Sequence, residues 1–152
     1  MSSRALRPAN AALYEEDFAL WSADTVRLLR EARFEEIDVD YLVEEVEGMA
    51  KSDRRELQNR LTVLLVHLLK WKLQSAKRSD SWRVTIREQR VQLERLFEES
   101  PSLRPAVAES IPRLYGDAVD LASDETRLPP DVFPVQCPFT PQQILDRAFL
   151  PE

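Results

Sequence analysis

The chain of 152 residues is short of several things that chemistry needs. It has a single cysteine, Cys137, which excludes an internal disulfide and any cysteine-built zinc site within one chain. It has two glycines, too few for a phosphate-cradling loop, which needs several at fixed spacing. It has one histidine, His67. No apolar run reaches the roughly 18 residues that a membrane span requires. The first eighteen residues, MSSRALRPANAALYEEDF, lack the apolar core of a secretory signal, so the cytoplasm is the expected compartment and no membrane partner is expected.

What is present is charge, 32% of the chain, and it is segregated. Glu31 to Glu56 holds ten acids and four bases, whereas Lys70 to Arg90 holds seven bases and two acids. Apolar residues recur at helical spacing. Tyr14, Phe18, Trp21, Thr25, Leu28 and Ala32 predict a first helix from Tyr14 to Ala32. After a short connection, Asp38 is a candidate N-cap for the helix that organises the chain. Leu42, Val46 and Met49 line one face of it, and Leu57, Leu61, Leu64, Leu68 and Trp71 continue to its end. Gly48 weakens the middle, and Asp53 with Glu56 has the spacing of a new capping box. The stripes on either side of this point differ by only about 50° at 100° per residue, which favours one long helix with a kink or slip. A polar turn, Gln74 to Ser81, leads to a third helix, Trp82 to Glu99, whose stripe Trp82, Ile86, Gln89, Leu93, Leu96 contains one polar intruder. Pro101 ends it, and Ser102 is placed to cap a fourth helix carrying Leu103, Val107, Ile111, Leu114, Ala118 and Leu121, with Pro112 expected to kink it.

Six of the ten prolines fall in the last 24 residues, together with Phe133, Phe139, Ile144 and Phe149. So apolar a segment is not a disordered tail. It reads as an extended clasp ending in a short helix started by Thr140, Pro141 and Gln143, an N-cap, an N1 proline and an N3 glutamine. The expected architecture is all-α: an up-down bundle of about four main helices over 14–125 and a clasp over 126–152. It forms a single domain, with the first thirteen residues as a flexible lead. Aromatic surface on the first helix and the clasp leaves room for a homodimer that completes the bundle.

Asp17, Phe18 and Trp21; Leu42, Glu44, Glu45 and Glu47; LLVHLLKW from Leu64 to Trp71; Trp82, Ile86, Gln89 and Arg90; Ser100 to Leu103; and FPVQCPFT from Phe133 to Thr140 together resemble the bacterial family catalogued as domain of unknown function 29. The likeness runs from Tyr14 to Leu150. It implies a small bacterial, cytoplasmic, helical protein, and it implies no activity and no catalytic residue.

Three constellations merit weighing. Lys70, Lys77, Arg78, Arg83, Arg87 and Arg90 gather near a helix start, where guanidinium forks and Trp71 and Trp82 can form an anion site for a phosphate-bearing ligand or nucleic acid. Against nucleic acid stands a sequence pI near 5.0, and the plainer expectation pairs these bases with the acids between Glu31 and Glu56. Asp53, Arg60, His67 and Gln89 form a second, polar cluster. In it His67 is either a general base or, more simply, a core-edge residue bonded to a neighbour. Gln89 with Arg90 is either a register-fixing hydrogen bond or a pocket wall. Glu44, Glu45 and Glu47 can offer oxygens to a hard cation, but the Glu-x-x-His pairs of di-iron bundles are missing, and the plainer reading is a solvated face with a Glu47–Lys51 pair. No metal or cofactor is expected. Cys137 with His67 as base is a conceivable nucleophile, and packing the simpler role. With no reaction centre assembled, the expected function is a non-enzymatic interaction or adaptor module, self-associating or meeting another protein; anion binding at the basic end is the alternative.

Overall fold

The computed structural model describes residues 7–152. The protein is all-α: among the described residues there are six α-helices and no strand. They are α1 (Asn10–Glu16), α2 (Phe18–Arg30), α3 (Val39–Leu73), α4 (Asp80–Glu99), α5 (Ala106–Thr126) and α6 (Pro141–Leu145). The chain divides into two compact units, one ending at Lys51 and one running from Ser52 to Glu152.

In the first unit the expected helix Tyr14–Ala32 is two helices. Asp17 adopts an extended conformation and its carboxylate accepts the Leu20 N–H, capping α2 where the helical period runs on undisturbed. Ala32, expected in the stripe, instead takes a left-handed turn with φ 54°. Of the expected flexible lead, residues 1–6 lie outside the described residues, while Asn10 already begins α1. Buried Asn10 holds this unit together: its amide donates to Thr25 Oγ1 at 2.9 Å and its carbonyl accepts the Asp38 N–H at 3.1 Å. Asp38 in turn accepts the Tyr41 N–H, as the expected N-cap of α3.

α3 runs for 35 residues without a break, so Asp53 and Glu56 start no new helix. Gly48 lies in its interior, and a methyl group there would meet nothing within 4 Å. Gly48→Ala is therefore expected to raise stability by about 0.5–1 kcal/mol through lost unfolded-state entropy, read as a higher urea midpoint at an unchanged slope.

The core of the second unit takes Leu57, Leu61, Leu64, Leu65, Leu68 and Trp71 from α3, and Ile86, Leu93, Leu96 and Phe97 from α4. From α5 it takes Val107, Ile111, Leu114, Tyr115, Ala118 and Ala122. Ser79, not a later residue, caps α4. Pro101–Leu103 is a 3₁₀ turn, so Ser102 caps nothing; Pro105, already helical at φ −62°, leads into α5 instead. Pro112 does not end α5: it is exposed, as is Ala108 one turn back, so the carbonyl it deprives of a partner faces water. Leu121 is exposed and Ala122 takes its place in the core.

The clasp lies on this core as expected, with Phe133, Phe139 and Ile144 buried, and Thr140 and Gln143 complete a capping box on α6. A proline-rich strand cannot build a ladder, so its carbonyls need donors from elsewhere. The helices supply them. Tyr115 Oη donates to the Pro134 carbonyl at 2.5 Å, Ser123 to Leu128, Arg78 to Pro151, and Arg90 to Ile144, Phe149 and Gln143.

Candidate functional site

Most of the bases expected at an anion site hold partners within the chain. Arg90 is 2% exposed and its guanidinium is used up on three clasp carbonyls at 2.7–3.1 Å. Arg78 donates to the carbonyls of Trp71 and Pro151 and lies over the Trp71 ring at 5.1 Å. Lys70 pairs with Glu125 at 2.9 Å and sits over Trp82, while Arg83 pairs with Asp80 and approaches Trp71. Trp71 itself is buried and offers no stacking face. These partners take the place of the expected pairing of the four bases with the acids between Glu31 and Glu56. Lys77 and Arg87 are exposed and make no ion pair among the described residues.

The polar cluster is half assembled. Arg60 donates to Glu56 at 2.9 Å and to the Gln89 side chain at 3.2 Å, and with Ser52, Arg55 and Asn59 these line an open cleft of about 430 Å³. Asp53 and His67 are not part of it. His67 Nδ1 donates to the Val63 carbonyl at 2.8 Å, the satisfied core-edge role. Burial pushes its pKa down, with the Val63 bond opposing. An imidazole that protonates more readily when unfolded withdraws stability as pH falls below the unfolded value of about 6.5. As the sole histidine it gives one ring signal, and its NMR titration midpoint is expected below that of a His-containing unfolded peptide. Cys137 is half-buried, its thiol donates to the Phe139 carbonyl at 3.5 Å, and burial pushes its pKa up, so neither member of the Cys137–His67 pair engages the other. Among the described residues no three His, Cys, Asp or Glu side chains converge on a metal position, and the Tyr14 hydroxyl donates to Glu45.

The feature that sequence reasoning missed lies in the first unit. Among the described residues its buried apolar side chains are Ala11, Trp21, Leu28 and Ile37, and the Trp21 indole N–H, though buried, finds no acceptor there. Among the described residues, nine of its large apolar side chains are exposed by 40% to 66%. Phe18, Leu20, Val26, Leu29 and Phe34 come from α2 and the turn after it, and Val39, Val43, Val46 and Met49 from α3. Val46 and Met49 were expected to line a core and do not. The faces are specific. Tyr14 stacks on Tyr41 at 4.0 Å and bonds Glu45, so α1 covers the Tyr41–Glu45 side of α3. Val39, Val43, Val46 and Ala50 recur at four, three and four residues and lie about 150° around the helix from that side. A contiguous apolar stripe without a cover is the mark of a contact surface.

A family model described as Domain of unknown function DUF29 matches residues 13–150. The chain belongs to the DUF29 family. No match was found among curated proteins or solved structures. In this DUF29 protein the residues that carry the likeness divide by role: Arg90, Trp71, Phe133 and Phe139 build the second unit, while Phe18 presents apolar surface in the first. No helix among the described residues is long and apolar enough to cross a membrane.

Proposed function

We propose that this protein is a non-enzymatic interaction module of the bacterial cytoplasm, and that the apolar face of its first unit is what a protein partner meets. The observation that carries this reading is the exposed stripe Val39, Val43, Val46 on a helix whose later turns bury Leu57, Leu61, Leu64 and Leu68. An enzyme is a poorer fit, because His67 and Cys137 are each satisfied by a backbone carbonyl and the cleft that Cys137 lines does not contain His67. Anion binding is weakened by the partners already held by Lys70, Arg78, Arg83 and Arg90. The test compares tagged wild type with Val46→Glu, both purified from the native cell at low and high salt. Proteins recovered with the wild type are expected to be missing from the variant, while its melting temperature is unchanged. Recovery of the same set by both would remove this face from consideration.

A further inference from the structure

We propose that the partner of this face is a second copy of the same chain, paired antiparallel along the first turns of α3; the inference rests on the interaction reading above and names its occupant. The order of charges along α3 favours such a pair. Beside the apolar stripe, on one flank about 80° wide, α3 carries Asp40, Glu44 and Glu47 and then Lys51 and Arg54. All five are exposed, and none is in an ion pair among the described residues; the expected Glu47–Lys51 pair is not formed. When two copies run parallel, this flank meets the opposite flank of the other copy, Leu42, Met49 and Asp53, and its charges find no complementary set. When they run antiparallel, each flank meets the same flank of the other copy reversed, and Asp40 faces Arg54 while Glu44 faces Lys51. The pairing is isologous, so each contact occurs twice. The stripe beneath, Val39, Val43, Val46 and Ala50, has the four-three-four spacing of an antiparallel two-helix seam. The register that the charges set places Val46 against Ala50 of the other copy, a large residue against a small one, and Val43 and Val39 against the turns at Asp53 and Leu57.

The area is modest. Val39, Val43, Val46, Met49 and Ala50 with half-buried Leu42 expose on the order of 500 Å² per copy, or roughly 1,000 Å² for the pair, the lower end of specific interfaces. A reversible dimer with Kd on the order of 10 µM is the expectation for an interface of that size. Glu47 falls beside the two-fold axis and faces its own counterpart, the one unfavourable position in this register.

Sedimentation equilibrium of the purified full chain tests this, from about 1 µM to 1 mM. Wild type is expected to dimerise and V46E to stay monomeric with unchanged helicity. D40R and R54D are each expected to weaken the dimer roughly tenfold, since each reverses a contact made twice, and the D40R/R54D double variant to recover it. E47Q is expected to tighten it. A wild type that remains monomeric at 1 mM overturns self-pairing while leaving the interaction reading to the co-purification experiment. A dimer indifferent to V46E places self-association elsewhere and overturns the assignment of this face. A dimer lost in V46E but not recovered by the double charge reversal overturns the antiparallel register.

Discussion

Arg90→Ala is expected to lower stability by about 3–5 kcal/mol, the cost typical of deleting one partner from a buried charged hydrogen-bond set. Three carbonyls, those of Gln143, Ile144 and Phe149, accept from this one guanidinium and lose that donor together when it is removed. For a chain of this length that loss lowers the melting temperature by roughly 10 °C. The variant need not unfold throughout: the clasp can detach and let water reach its carbonyls. In that case the denaturant slope falls, because less surface remains to be exposed, and trypsin cleaves early at Arg147, whose bond to Glu94 at 2.9 Å depends on a seated clasp. Arg90→Lys retains a charge but loses the fork that reaches three acceptors at once, so it recovers only part of the loss. Burial pushes the Arg90 guanidinium pKa down, with Asp146 opposing.

The second large effect is a contrast along a single helix. Leu64→Ala is expected to cost about 3–5 kcal/mol, because Leu64 has 0% exposure among Leu57, Leu61, Leu65 and Leu68, and its removal leaves a cavity that rigid neighbours cannot close. Val46→Ala, on the same stripe five turns earlier, is expected to change stability by less than about 0.5 kcal/mol in dilute solution. Both substitutions shorten an aliphatic side chain on one helix, so helix propensity cannot produce the difference. Urea unfolding at about 1 µM measures both. A loss at Val46 near that at Leu64 would mean that the stripe is already covered within one chain.

Where the sequence was legible, the reason is local chemistry. The clasp helix was readable because Thr140, Pro141 and Gln143 satisfy backbone groups within one turn. The long α3 was readable because its period continues through Gly48. The break at Asp17 was missed although the capping carboxylate stood in the sequence: Tyr14, Phe18 and Trp21 keep helical spacing across a cap, and period alone does not report continuity. Arg90 sits four residues after Ile86 and three before Leu93, as good a seam position as Gln89. A base in a seam signals a buried counterpart, but its acceptors are backbone carbonyls more than fifty residues away, which carry no residue-type signature. Val39, Val43 and Val46 mark the opposite limit. Periodicity identifies which side of a helix is apolar; what covers that side depends on tertiary structure or on another chain. The polar cleft divides in the same way: Arg60 and Glu56 meet because they are four residues apart, whereas the addition of Gln89 required α3 and α4 to pack.

The most direct test of the interaction surface is amide hydrogen exchange of the purified chain at increasing protein concentration, followed along α3. Protection over Val39–Lys51 is expected to be low when dilute and to rise with concentration, while Leu57–Leu73 stays strongly protected throughout. Strong, concentration-independent protection from Val39 onward would contradict the account, since it would show that the apolar stripe is already buried in the single chain.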